Sequence, residues 1–171
     1  MEPGFENIDE KTALTFWLDN RAQIKDSLLL CDWCFPRILR GFHTREELLA
    51  AEDYCGDIDA EAKMLSPLTG IDFTSADLDR AGDRIRNLDR ALHIRNYNRS
   101  RKDDSSGEWV GEYPEKTDGT KWDMPLFNKI LDSYYDKRGW NKKTGRPTRA
   151  KLEELGLKDV ADELAATGKL P

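Results

Sequence analysis

Residues 74–97, TSADLDRAGDRIRNLDRALHIRNY, decide the fold class. Thr74 precedes the run and Asp77 stands three positions on. At that spacing a hydroxyl and a carboxylate satisfy each other's backbone N–H groups at a helix start. Leu78, Ala81, Ile85, Leu88 and Leu92 then recur in steps of three and four, which predicts an amphipathic helix from Ser75 to about Tyr97. Asp79, Arg80, Asp83, Arg84 and Asp89 are assigned to its polar side. The pattern reads as a central packing element.

Helical signals continue on both sides of this run. Ala13, Trp17, Ile24 and Leu28 lie near one face of a helix expected from about Asp9 to Leu30, with Pro36 perturbing any extension. Thr44-Arg45-Glu46-Glu47 forms a capping box before a short helix to Tyr54. A further helix is expected from Asp59 to Leu65, stopped before Pro67, with Leu68-Thr69-Gly70 as a turn. Residues 99–122 read as one long loop. Asp123 then caps a helix with buried side Leu126, Phe127, Ile130, Leu131 and Tyr134, ended by Gly139. Thr148 opens a helix to about Leu155, and the last helix runs from Lys158 to Ala166. Alternating apolar and polar residues are nearly absent, so the fold is all-α. The expected organisation is a tail over residues 1–8 and one helical domain over 9–171.

Composition narrows the function classes. The chain has 171 residues, 35% of them charged, and a net charge of −6, with a mean hydropathy of −0.76. An acidic balance argues against nucleic acid as a partner. No apolar run is long enough to span a membrane, and the N-terminus does not resemble a signal peptide. Three cysteines, an odd number, argue against a disulfide framework and for a reducing, cytoplasmic setting.

Few residues carry a chemical signature. Cys31-Asp32-Trp33-Cys34 has zinc-like spacing, but a structural site needs four ligands, and only Cys55, His43 and His93 remain to help. A redox pair wants a βαβ context that is missing. The histidines are isolated, and no nucleophile elbow or phosphate-cradling loop occurs. The basic run Arg95, Arg99, Arg101 and Lys102, followed by Asp103 and Asp104, reads as a solvated or salt-bridged segment rather than an anionic-ligand site. Trp17, Phe16, Trp33, Phe35 and Phe42 crowd the first quarter, as core or as a surface made to pack on something else.

Five segments in order share a likeness. They are Asp26-Ser27-Leu28-Leu29-Leu30-Cys31-Asp32; Thr69-Gly70-Ile71-Asp72 with Gly82-Asp83-Arg84-Ile85-Arg86-Asn87-Leu88; Arg99-Ser100-Arg101-Lys102-Asp103-Asp104; Asp132-Ser133-Tyr134-Tyr135 with Arg138-Gly139-Trp140; and Pro147 to Leu157. Together they resemble the C-terminal part of the tungsten-dependent aldehyde:ferredoxin oxidoreductase family, from about Lys11 to the end.

The resemblance implies a multihelical orthogonal bundle. It implies an enzyme that oxidises aldehydes to carboxylic acids and passes electrons to ferredoxin, with relatives that reduce aromatic acyl thioesters. The implied cofactors are a tungsten (or molybdenum) bis-pterin and one 4Fe-4S cluster. Cys31 matches the fourth cluster cysteine of a D-x-x-G-L-C type motif, Asp26 a pterin-binding aspartate, and Leu30 the residue beside the cysteine. No catalytic residue is implied here. Leu29 stands where many members have glycine, and Cys34 is extra. Five helical residues leave a 140° offset, so the chain must turn between Asp26 and Cys31 if both are to meet one cofactor.

The three-cysteine cluster run, the pterin domain and the upstream catalytic positions of the family are not in this chain. It is therefore expected to be a fragment, a split-gene product or a subunit. Its expected partners are the upstream domains and ferredoxin, and no cofactor is expected on the isolated chain. The rival expectations are a non-enzymatic helical module of the same ancestry and a zinc-bound interaction domain on Cys31, Cys34 and Cys55.

Overall fold

A computed structural model of the chain describes residues 7–31, 59–105 and 123–171. Seven helices lie among them: α1 (Ile8–Ser27), α2 (Ala60–Thr69), α3 (Ser75–Tyr97), α4 (Arg101–Ser105), α5 (Met124–Arg138), α6 (Arg149–Glu154) and α7 (Lys158–Ala166). No strand occurs among the described residues; the one extended feature is an isolated bridge between Trp140 and Pro147. The fold is all-α and multihelical, as the sequence predicts. The capping box at 44–47 and the helix after it lie outside the described residues.

Local chemistry sets most helix starts. Asn7 caps α1, its side-chain oxygen accepting from Asp9 N at 3.1 Å and Glu10 N at 3.3 Å, and the helix begins at Ile8, one residue earlier than the sequence suggests. At α3 the Thr74 amide donates to Asp77 Oδ2 at 2.8 Å and the Asp77 amide to Thr74 Oγ1 at 3.2 Å. Asp123 accepts from Leu126 N at 2.9 Å, and Thr148 from Lys151 N at 3.2 Å. Each bond satisfies an amide that the helix itself leaves open.

Two boundaries differ from the expectation. Helix α2 runs through Pro67 to Thr69 instead of stopping before the proline. Pro67 forfeits only the bond to Lys63, whose residue is exposed to solvent, while Ser66 and Thr69 hydroxyls bond the carbonyls of Ala62 and Leu65 at 2.8 Å. The stretch read as a loop from 99 begins with α4, whose first turn is tied by Ser100 N to Asp103 Oδ2 at 2.7 Å.

The chain divides into two compact units, residues 13–86 and residues 1–12 with 87–171. In the first, Ile24, Ala62 and Leu78 form the core, with Leu28, Leu65, Phe73, Ala81 and Ile85 packed against it. Gly82 lets two helix backbones touch: a Cβ there would lie 2.5 Å from the Asn20 carbonyl oxygen, closer than any real contact. Beneath this contact Asn20 is 1% exposed and donates to the Asp79 carbonyl at 3.2 Å. Arg21 and Glu61, both buried, form a two-pronged ion pair at 2.9 and 2.8 Å.

In the second unit, Ala91, Ile94, Leu152, Leu155, Leu157, Ala161 and Leu164 make the apolar core. The stripe read from the sequence holds through Leu88, which packs against this core, and fails at its last member. Leu92 is 39% exposed, whereas Asn87 and Arg90 are buried. Asp83, assigned to the polar side, is also buried. On α5 the most buried positions are Tyr135 and Arg138 rather than the aliphatic side.

Candidate functional site

The residues assigned to a cofactor lie at the end of α1. The last helical bond runs from Leu28 N to Ile24 O at 2.9 Å, and the chain closes with two capping bonds, Leu29 N to Asp26 O at 3.2 Å and Leu30 N to Lys25 O at 2.9 Å. This is the Schellman arrangement, which needs a left-handed residue at its pivot. The pivot is Leu29, at φ 59. Every other described residue of positive φ is glycine, except Asn98. A branched side chain in that conformation costs about 1 kcal/mol. The glycine that the family motif carries at this position is the residue such a turn favours.

The turn meets the requirement raised by the spacing. Asp26 belongs to the last helical turn, and Cys31 lies beyond a pivot that redirects the chain. Both side chains are exposed, and Leu30 is partly buried. Arg21 and Glu61 tie α1 to α2, and Arg21 lies 5.2 Å from the centre of the Trp17 ring. The adjoining cleft, lined by Trp17, Arg21, Glu61, Ser75 and Asp79, has about 20 Å³ of room, enough for a single water.

The donor set at the turn suits the implied groups. An exposed thiol can ionise and bind iron, and an exposed carboxylate can accept from pterin N–H groups. A single thiol does not complete a cluster. No group of three metal-binding side chains occurs among the described residues. Cys34, Cys55 and His43, which the zinc alternative needs, lie outside the described residues. His93 lies on α3, 3.6 Å from Asp89 and edge-on to Tyr97, half exposed in a surface pair.

Three of the motif segments converge elsewhere, in a buried polar clasp. Arg90 donates to both carboxylate oxygens of Asp104 and, through Nε, to the Gly145 carbonyl at 3.0 Å. Arg99 adds a bond to Asp104 at 2.9 Å, and the Tyr135 hydroxyl donates to the same carboxylate. Arg101 reaches Asp132 Oδ1 at 2.6 Å and Asn128 Oδ1 at 3.1 Å. Trp140 lies under the Arg90 guanidinium at 4.7 Å and donates its indole N–H to Asn87 at 2.8 Å. Gly145, at φ 68, leaves room for this packing: a Cβ would lie 2.8 Å from both Arg90 Nη2 and Tyr135 Oη.

The electrostatics follow from those contacts. Burial alone would raise the Asp104 carboxyl, but hydrogen bonds from Arg90 and Tyr135, with the Arg90 charge, hold it below its ordinary value. Burial first, and then the Asp104 carboxylate, pushes the Tyr135 hydroxyl far above its ordinary value. The clasp is therefore an ion-pair network in which Asp104 is answered by two arginines and Asp132 by a third. It bears out the salt-bridged reading of the Arg99–Asp104 run. Sequence spacing does not reveal Arg90, Gly145 and Tyr135 as its other members.

The described residues form an all-α, multihelical domain with an exposed turn between Asp26 and Cys31. The profile described as aldehyde ferredoxin oxidoreductase, domains 2 and 3, matches residues 1–157. The chain belongs to the aldehyde ferredoxin oxidoreductase family. It is 31% identical over 151 residues to the tungsten-containing aldehyde ferredoxin oxidoreductase of Pyrococcus horikoshii, covering 88% of this chain and 22% of that protein. The enzyme of the same description from Thermococcus kodakarensis is 31% identical over 109 residues, 64% of this chain and 17% of that protein. Among solved structures, the active site complex BamBC of benzoyl coenzyme A reductase with 1,5-dienoyl-CoA superposes with a TM-score of 0.73 at 28% identity, covering 99% of this chain and 22% of that one. The chain thus spans about a fifth of the length of these relatives. No described helix is long and apolar enough to cross a membrane.

Proposed function

We propose that this chain is the part of a tungsten- or molybdenum-pterin oxidoreductase that brings one cluster ligand and one pterin contact to the cofactor from the end of α1. The observation that carries the reading is the turn itself. The α1 helix closes at a left-handed pivot between Asp26 and Cys31, leaving carboxylate and thiol exposed in a segment resembling the family's cofactor motif.

When bound with the other domains, the pterin metal and the 4Fe-4S cluster supply the redox chemistry, in which an aldehyde and water yield a carboxylic acid, two electrons for ferredoxin and the accompanying protons. The residues of this chain bind and orient. Cys31 as thiolate holds iron, presented just past a hydrogen-bonded cap. Asp26 accepts hydrogen bonds from the pterin, and its charge strengthens them. Leu30, partly buried beside the cysteine, anchors the segment. No residue of this chain is assigned to proton transfer. The chain acts within a complete enzyme, with the upstream domains as partner.

Cys31→Ala in the complete enzyme is expected to abolish cluster loading, read as iron content and the cluster spectrum. Asp26→Ala is expected to lower pterin retention, and Cys34→Ala to change neither. Normal iron content in Cys31→Ala contradicts the assignment; cluster loss in Cys34→Ala moves the ligand role to that residue.

A second reading is favoured by the likeness to the benzoyl coenzyme A reductase complex, which covers nearly the whole chain. Under it the complete enzyme reduces an aromatic acyl thioester. Assaying the purified enzyme with aldehydes and with aromatic acyl thioesters separates the two.

A further inference from the structure

We propose that the cradle of Arg90, Arg99 and Tyr135 is a binding site for a small carboxylate, that Asp104 fills it in cis, and that α4 is the lid carrying this internal ligand. The proposal is independent of the reading of Asp26 and Cys31. The cradle has the parts that recognise a planar carboxylate. Arg90 turns its fork to both Asp104 oxygens, at 2.9 and 2.5 Å, the two-pronged geometry that suits this group. Bonds that do not involve the carboxylate hold the fork in place. Its Nε donates to the Gly145 carbonyl at 3.0 Å, and the Trp140 ring lies beneath it, itself fixed by the bond to Asn87. Arg99 supplies a second cation at 2.9 Å, and the Tyr135 hydroxyl a further donor. Arg90 and Tyr135 are thus set by α3 and α5, and the acceptor alone comes from α4.

The element that carries the acceptor is built differently from those that carry the donors. Helix α4 reads Arg101-Lys102-Asp103-Asp104-Ser105, without one apolar side chain, and contributes to neither apolar core. Polar bonds hold it. The Arg101 amide donates to the Thr144 carbonyl at 2.8 Å, and its guanidinium reaches Asp132, Asn128 and the Lys142 carbonyl while lying 5.4 Å from the centre of the Tyr135 ring. A segment with so little apolar anchorage opens locally, ahead of the whole fold. Lifting α4 removes Asp104 and leaves the Arg90 guanidinium, 4% exposed in the closed state, without its counter-charge. A free carboxylate relieves that state by taking the same donors. The tethered carboxylate competes at high effective concentration, so a free one enters only when the lid is up.

The test uses the full chain as wild type and as Asp104→Ala, with sodium formate as the probe and sodium chloride of equal ionic strength as the control. Formate matches the carboxylate that the substitution removes. It is expected to stabilise Asp104→Ala saturably, lowering the unfolding constant about tenfold at a concentration about ten times its dissociation constant, where chloride does not. The wild type, with its site filled, is expected to gain nothing from formate over chloride. Equal effects of the two salts on Asp104→Ala, or an equal gain from formate in the wild type, overturn the site. If Asp104→Ala folds in neither salt, hydrogen exchange of the wild type decides. Its Arg101 amide is expected to exchange at least about tenfold faster than the core amides of Leu157 and Ala161, and faster in formate than in chloride, because formate holds the lifted state. An Arg101 amide that exchanges together with the core, or at one rate in both salts, overturns the lid and its ligand.

Discussion

The clasp around Asp104 and the turn after α1 treat polar and strained groups in opposite ways. In the clasp, Arg90 and Tyr135 are buried, and the charge of Asp104 is answered by Arg90, Arg99 and a tyrosine hydroxyl. Its left-handed Gly145 matches its backbone. At the turn, carboxylate and thiol face solvent, and a leucine holds the pivot. Both regions contain segments that resemble the family. The first uses them to hold itself together, and the second displays them. A family motif is therefore a guide to function only after its partners are known.

The comparison breaks first at Asp104. Asp104→Ala leaves the buried Arg90 guanidinium without its main counter-charge, and about 4 kcal/mol of stability is expected to go, measured by denaturant unfolding. Asp26→Ala and Cys31→Ala are expected to change the same unfolding free energy by less than about 0.5 kcal/mol, because exposed positions contribute little. A large loss at the turn, or a small one at the clasp, erases the distinction between them.

Gly82→Ala is expected to cost about 3 kcal/mol, since its methyl meets the Asn20 carbonyl and neither helix backbone can yield cheaply. Tyr135→Phe removes one hydrogen bond from the carboxylate and is expected to cost about 1.5 kcal/mol. Thermal unfolding ranks the two variants.

The clasp also sets a pH window. The Asp104 carboxyl is lowered in the native state, so its stabilisation is present above its ordinary value of 3.8 and is lost as pH falls through the native value. The Tyr135 hydroxyl is raised, so its contribution is present below its ordinary value of 10.0 and is lost as pH rises through the native value. Unfolding midpoints are expected to hold between those limits and fall outside them, with Asp104→Asn flattening the acid side. An acid limb unchanged in that variant removes Asp104 as its cause.

The smallest expected effect lies at the pivot. Leu29→Gly relieves the left-handed strain, but the greater freedom of unfolded glycine offsets part of the gain, leaving about 0.5 kcal/mol of added stability. A loss of stability instead would mean that the leucine makes contacts that help hold this chain together by itself.

What was legible in the sequence was local. Thr74 with Asp77, Asp123 with Leu126 and Thr148 with Lys151 are bonds three residues long, and the chemistry of the two positions suffices to find them. The α1 turn was half legible: the spacing of Asp26 and Cys31 demanded a turn, while the leucine in place of glycine hid where it pivots. The clasp was not legible, because Asp104 meets Arg90 across 14 residues and Tyr135 across 31. Hydrophobic periodicity assigned Leu92 to the core and Asp83 away from it, and neither held. Beyond Leu88 the helix buries Ala91 and Ile94 together with Asn87 and Arg90, so the buried face there is part polar and cannot be read from apolar spacing alone. Gly82 stood within a recognised segment, but only the approach of Asn20 explains why it is glycine.

The most direct test of the central claim is elemental analysis of the assembly containing this chain, purified anaerobically from its native host. The account predicts iron together with tungsten or molybdenum, with the iron lost in Cys31→Ala. A metal-free 19.7 kDa chain, or iron indifferent to Cys31, would contradict it.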